Sequence, residues 1–324
     1  MNAVVCRSFG EMPVVEALTA LEPGPGQVRV RQEGSAVSAG DWMIARGRPW
    51  VMRPVFARMM GPAPRILGLD VAGVIDRVGE GVEGWSVGDR VAGEVARAWA
   101  EQVLADPAAL ARIPDGVDAL QAGTLPVSGL TALQGLRDAA AVRPGERVLV
   151  NGASGGVGHF AVQVARVLGA EVTAVCSASK ADLASACGAT EVIDHRRAAF
   201  VDQKARWDVV FDLVGNFPVG ACLGALRPGG RYVSSSGGER GGAVLGPLPR
   251  LLHVAVRGLF DGRLKVLAAT PRTADLATLL GWVAQGTLTP HLGHVVPLEE
   301  AARGLELLGD GQARGKTAIR VAGD

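Results

Sequence analysis

Polar and apolar positions alternate in short runs over residues 1 to about 119. Gln27-Val-Arg-Val-Arg31 and Gly73-Val-Ile-Asp-Arg-Val78 have the period of two that turns one strand face toward a core. Pro23-Gly-Pro-Gly26, Gly79, Gly81, Gly84 and Gly88-Asp89 interrupt them. Frequent turns with few helical stretches predict a compact, partly open barrel. From about residue 120 the pattern changes. Strands are predicted at 147–150, 171–176, 191–194, 208–214 and 231–235, alternating with helical segments of about 10 to 14 residues. This is the βαβ signature of a doubly wound parallel sheet. Residues 264–268 offer a sixth strand, ended by Pro271. The tail, with helices expected at 274–285 and 298–308 and a strand at 317–321, continues neither pattern and is a candidate to rejoin the first domain.

One turn in the second region carries chemistry. Asn151-Gly-Ala-Ser-Gly-Gly-Val-Gly158 follows an apolar strand and opens a helix whose face is Val157, Ala161, Val164, Ala165 and Leu168. Ala153, Gly155 and Gly158 stand in the A-x-G-x-x-G form of the dinucleotide fingerprint. Its glycines permit the tight turn, the approach of a pyrophosphate and close helix–strand packing. Cofactor preference is set at the end of the next strand, where a carboxylate would accept from a ribose 2′-hydroxyl. Here that place holds Cys176-Ser-Ala-Ser-Lys180, with no carboxylate before Asp182. Ser177 and Lys180 suit a 2′-phosphate, so NADP(H) is expected. Ser179 is also placed to cap the next helix in a box with Asp182, with Lys180 a solvated first-turn residue, and the two readings are compatible.

Bulk composition narrows the partners. With 324 residues, 48% hydrophobic and 20% charged, the chain suits a two-domain globular protein. A net charge of +1 gives no reason to expect nucleic acid or an anionic membrane. The four cysteines are scattered without ligand-like spacing, arguing against a disulfide framework or a cysteine-built zinc site. The chain begins with a strand-like pattern rather than a targeting segment, and no run is long enough to span a membrane, so a cytoplasmic location is expected. Lys180, Lys204, Lys265 and Lys316 are the only lysines, which gives weight to any in a chemically meaningful place.

The chain resembles the medium-chain dehydrogenase/reductase superfamily, in particular its zinc-free quinone oxidoreductase branch. The resemblance rests on the stretches beginning at Gly68-Leu-Asp-Val-Ala-Gly, Gly88-Asp-Arg-Val, Leu125-Pro-Val-Ser-Gly-Leu-Thr, Asn151-Gly-Ala-Ser, Phe211-Asp-Leu-Val-Gly and Leu226-Arg-Pro-Gly-Gly, and on Arg314-Gly-Lys316. It implies an α/β chain: a GroES-like β-barrel catalytic domain (1–119 and 272–324) interrupted by a doubly wound parallel-sheet Rossmann domain (120–271). The resemblance further implies that Thr131, Ser154, Gly155, Gly156, Val157, Ser177, Lys180, Val214 and Gly237 line the cofactor, with His195 stacking on its adenine. It brings Lys316 to the cofactor cleft, although Lys316 is equally placed to be an exposed lysine before the last strand. Zinc-dependent members place cysteine where Ser38 stands and a His-Glu pair where Leu69-Asp70 stands, so no metal is expected.

Other positions depart from the branch. Ser38 stands where Asn is usual, Gln102 follows Glu101 in place of a tyrosine, and Tyr232, the sole tyrosine, falls in a predicted core strand. Ser38 and Asp41 are then the candidate proton-handling residues, Asp41 having the alternative of tying down backbone. Trp42, Trp50, Arg53 and Phe56, with Met59, edge the implied substrate cleft and suggest an apolar or aromatic substrate; a cover over the barrel is the competing reading. The apolar segment 245–260, including Phe260, reads as a substrate-side flap or a dimer contact. The expected activity is hydride transfer from NADPH to a conjugated carbonyl or quinone, by a homodimer acting on a small molecule. Two rivals are a biosynthetic tailoring enzyme performing reduction-triggered cyclisation or redox-neutral chemistry, and a nucleotide-binding protein without turnover.

Overall fold

The structure is a computed structural model that describes residues 1–236 and 242–321. The chain forms two compact units, Met1–Leu130 with Pro271–Asp324, and Thr131–Thr270.

In the second unit the described residues form a six-stranded sheet, every neighbouring pair parallel. Its spatial order is Glu191–Asp194, Glu171–Cys176, Arg147–Asn151, Trp207–Asp212, Leu226–Ser234 and Leu264–Val266. This is the doubly wound order in which the chain reverses direction beside the first strand, the place where such sheets bind nucleotides. Central strands carry continuous apolar stretches, as a sheet covered on both faces requires: Val148, Leu149, Val150, Val209, Val210 and Phe211 are all buried. The expected strands are present, the fifth extended at its start to Leu226 and the sixth shortened to end at Val266.

The first unit is built on antiparallel strands. The ten-residue strand Val28–Val37 pairs with Asp70–Val78 on one side and with Lys316–Arg320 on the other. Near its start it also pairs with Gln102–Ala105. Register shifts between Arg29 and Val30 and between Gln32 and Gly34 kink it, letting one long strand serve several neighbours. The last strand, Lys316–Arg320, lies between Val28–Val37 and Leu292–Pro297, so the tail does return to the first unit.

Residues 38–60, read from the sequence only as a cluster of large side chains, form the helix Ala39–Arg46, a 3-10 turn Trp50–Met52 and the helix Arg53–Met60. Phe56 corrects the expectation that it contacts substrate. It is buried in the core with Val4, Ile44, Met60 and Leu67, and meets Phe9 edge-on at 6.5 Å between ring centroids. Phe56→Ala should cost about 3–5 kcal/mol in urea unfolding. Trp50→Ala, at a residue 48% exposed, should change stability by less than about 0.5 kcal/mol.

Candidate active site

The glycine turn is shaped as its sequence requires. Gly152 has φ of 90°, a conformation that side chains strain to adopt. A Cβ on Gly158 would lie 2.0 Å from the Gly152 carbonyl oxygen, so only glycine lets the helix Gly158–Val167 start against the end of the strand Arg147–Asn151. At Gly155 an added Cβ would meet only the Gly152 carbonyl oxygen, in ordinary contact at 3.4 Å, and no side chain stands on that side of the turn. The N–H groups of Gly156, Val157 and Gly158 have no acceptor among the described residues. Free donors at the positive end of a helix, with one wall kept clear of side chains, fit a pyrophosphate.

Around the turn, Asp212 acts as the organiser. Its Oδ1 accepts from Asn151 Nδ2 at 2.8 Å and from the backbone N–H groups of Val214 and Gly215 at 3.1 and 2.9 Å. Its Oδ2 accepts from the Tyr232 hydroxyl at 2.6 Å and from Arg250 Nη2 at 3.1 Å. The carboxylate thus fixes the Val214–Gly215 loop, whose Val214 side chain closes over Gly152. Tyr232 is core, as expected, and burial pushes its phenol well above the ordinary range.

Ser154 and Ser177 are nearly buried, while His195 is exposed just past the strand Glu191–Asp194. The expected Ser179 cap is not formed. Lys180 is the N-cap of Ala181–Ala186 and makes no side-chain cap bond, while Ser179 Oγ lies 3.1 Å from Ser177 Oγ. Thr131 is half-buried near the end of Pro126–Leu133, and Gly237 lies outside the described residues. Phe260 is 90% exposed on the second unit. The preceding helix, Leu248–Gly258, buries Arg250 and Val254 and turns Leu252 and Val256 outward.

In the first unit, Ser38 and Asp41 form the capping box of Ala39–Arg46. Asp41 N–H donates to Ser38 Oγ, and Ser38 N–H donates to Asp41 Oδ2 at 2.8 Å. The Ser38 hydroxyl also donates to that oxygen at 2.6 Å. Asp41 Oδ1 is buried without a hydrogen-bond partner, and burial raises the Asp41 carboxyl to about 7.

Beyond it lies Lys316, and the reading of it as an exposed lysine needs correction. It is 1% exposed, and its three donors go to the Val37 carbonyl at 3.1 Å, Ser128 Oγ at 3.1 Å and Asp70 Oδ2 at 3.4 Å. With its ammonium engaged inside its own unit, it is not a surface lysine. Asp70 Oδ1 accepts from Val127 N–H at 2.8 Å. Burial raises the Asp70 carboxyl against the opposing pull of Lys316. Facing Asp70 across the ladder is Glu94, raised to about 7 by burial and then by the charges of Asp70 and Asp41. Glu94 and Ser128 were missed from sequence; the polar ends of two otherwise apolar runs were their only signal.

Trp42, Trp50 and Arg53 line a cavity of about 620 Å³ in the first unit, together with Arg46, Arg48 and Leu305. Arg46 sits over the Trp42 ring at 4.5 Å and Arg53 over Trp50 at 5.5 Å, which holds both guanidiniums in place.

Comparison with known proteins now bears on this geometry. Residues 24–125 match the alcohol dehydrogenase GroES-like domain family, and residues 187–319 match the zinc-binding dehydrogenase family. The quinone oxidoreductase of Coxiella burnetii superposes with a TM-score of 0.87 at 27% identity, over 99% of each chain. The chain belongs to the medium-chain dehydrogenase/reductase superfamily, in its quinone oxidoreductase-like branch. This superfamily binds a nicotinamide cofactor. A mycocerosic acid synthase-like polyketide synthase of Mycobacterium tuberculosis is 31% identical over 97% of the chain, which spans only 15% of that protein's length. The CurK enoyl reductase, 23% identical with a TM-score of 0.82 over 99% of each chain, shares the fold.

Zinc is implied by one family description, but the side chains at the corresponding places do not form a zinc site. The Ser38 hydroxyl is bonded to Asp41, Leu69 has no donor atom, and Asp70 is engaged by Lys316 and Val127. Among the described residues, no three His, Cys, Asp or Glu side chains are grouped to hold a metal ion.

The buried acid has a thermodynamic signature. Native Asp41 holds its proton up to about 7, whereas an unfolded aspartate releases it near 3.8. The native state therefore binds more protons between these values, and stability falls as pH rises through that window. Asp41→Asn should melt about 3 °C or more above the parent at pH 8, with the difference closing toward pH 4, as read by thermal unfolding.

Proposed function

We propose that the chain is an NADPH-dependent, zinc-independent oxidoreductase that reduces a conjugated carbonyl, such as an enone or enoyl thioester, or a quinone, and works as a homodimer. The observation that carries this reading is the open glycine turn paired with a second strand that ends in Cys176-Ser177 without a carboxylate. A carboxylate there would repel a 2′-phosphate; a serine and a lysine attract one.

Bound at this turn, the nicotinamide supplies the hydride. Ser154, Gly155, Gly156 and Val157 cradle the pyrophosphate, Ser177 and Lys180 take the 2′-phosphate, and His195 stacks on the adenine. Thr131 and Val214 border the nicotinamide end, with Val214 held in place by Asp212. Ser38 and Asp41 hold the proton that the reduced acceptor requires. Trp42, Trp50 and Arg53 present flat apolar surface and positive charge to a bulky acceptor. Similarity to a polyketide synthase favours an enoyl acceptor over a quinone.

The absence of a tyrosine acid keeps the tailoring reading in play. Mass analysis of the product separates the two, since a reductase adds two hydrogens and an isomerising enzyme adds none. The reductase reading is tested by loss of nicotinamide absorbance with a panel of enones, enoyl thioesters and quinones; silence across the panel would refute it. Lys180→Ala should weaken NADPH binding about 10-fold, the loss of one charge-assisted contact, with little change for NADH. Equal loss for both cofactors would remove Lys180 from the 2′-phosphate.

A further inference from the structure

Three carboxyls and one ammonium gather in the interior of the first unit, and they differ in access to water. Asp41 and Asp70 are completely buried, as is Lys316. Glu94, at the end of the strand Arg90–Glu94, is only partly buried. It stands directly across the antiparallel ladder from Asp70. Opposed residues in such a pair send their side chains to the same face, with Cβ atoms about 4.5–5.5 Å apart.

The charged groups around Glu94 leave it in a particular position. Asp70 on the neighbouring strand is bonded to Lys316 and Val127, and Lys316 to Ser128 and Val37. Asp41, on the helix Ala39–Arg46, interacts with both Asp70 and Lys316. Arg90, on Glu94's own strand, bonds the carbonyls of Pro114 and Val117, and Arg112 on the next strand pairs with Asp89. Glu94 itself has no hydrogen bond or ion pair through its side chain among the described residues. Of the three carboxyls, it alone touches solvent, and no bonded partner fixes its charge.

We propose that Glu94 is the proton entry of this cluster, drawing a proton from solvent and, through Asp70 and Asp41, replacing the one that the Ser38–Asp41 pair delivers to the reduced substrate. This rests on the reductase reading. The conjugated acceptor gains a hydride at its β-carbon, which adds two electrons and one hydrogen, and is left as an enolate. The enolate takes a proton from the Ser38 hydroxyl, Ser38 recovers one from Asp41, and Glu94 refills Asp41 from water. Per turnover, one NADPH is oxidised and one solvent proton is consumed. Glu94 acts through its neighbours, so it is a relay and not a group that touches substrate.

The test compares the full chain with Glu94→Gln in steady-state reduction of an enone, from about pH 5 to pH 9. Glu94 is protonated below about 7, so the parent's turnover should be level on the acid side and fall above it. Glu94→Gln should lose about 10-fold or more at pH 6, with the KM for NADPH unchanged; any fall that remains above about 7 then reports Asp41 alone. Glu94→Ala should regain rate in proportion to added acetic acid or imidazolium. A Glu94→Gln enzyme that keeps the parent's rate and pH profile would overturn the proposal. Infrared titration supplies a reading independent of turnover: Glu94 and Asp41 should both contribute protonated-carboxyl absorption that disappears near neutral pH in the parent, and Glu94→Gln should lose the Glu94 share while keeping that of Asp41. Absence of the Glu94 share in the parent would also overturn the proposal. Failure to reduce any acceptor would overturn the reductase reading, and the infrared titration then decides proton exchange at Glu94 by itself.

Discussion

Lys316 carries a full positive charge into the interior of the first unit, and much of that unit is arranged to make this tolerable. Removing an ammonium from water costs several kcal/mol unless its donors find partners. The partners come from three distant parts of the chain: the end of Val28–Val37, the start of Asp70–Val78, and Ser128 near the start of Pro126–Leu133. The interaction therefore records where four segments meet. It also explains why the tail returns, since Lys316 begins the strand that closes against Val28–Val37. Replacing one partner would leave a buried charge uncompensated, which is far more damaging than losing a surface ion pair. The same charge acts on the acidity of Asp70 and Asp41, so structural and chemical roles are joined in one group.

The second unit solves a different problem. Its glycine turn must keep side chains away from a ligand, and an element built from glycine cannot stiffen itself. Rigidity comes from Asp212, which ties together Asn151, the Val214–Gly215 backbone, Tyr232 and Arg250. The guanidinium of Arg250 reaches this carboxylate from the helix Leu248–Gly258. One of its two arginines, Arg250, thus faces inward beside Val254 while Leu252, 65% exposed, faces water.

Legibility from the sequence follows the range of the interactions involved. The parallel strands were readable because continuous apolar runs and glycine turns are local, and 171–176 and 191–194 match the observed limits. The fingerprint was readable because its constraint is local: Gly158 packs against the backbone of Gly152 and Ala153, only a few residues before it. The helices between 38 and 60 were hidden by Gly47, Pro49 and Pro54, which break any long periodicity. Phe56 looked like a substrate contact because aromatic residues read alike in a core and in a cleft; Phe9, its partner, is 47 positions away (56 − 9). Lys316 and Asp70 are 246 positions apart, and nothing in either neighbourhood announces the other. The apolar patch of 245–260 was legible, but the burial of Arg250 within it was not, because a buried arginine makes sense only once Asp212 is seen beneath it.

Tyr232 has a spectroscopic consequence. It is the chain's one phenol, completely buried, and donates to a carboxylate. Burial and the neighbouring Asp212 oppose its ionisation more than the Arg250 guanidinium favours it, so it stays neutral at pH values where a solvated tyrosine has lost its proton. The ultraviolet signal of tyrosinate in this protein therefore comes entirely from molecules whose second unit has opened. Evolution has left the Rossmann core with a single built-in indicator dye, silent while the sheet is intact.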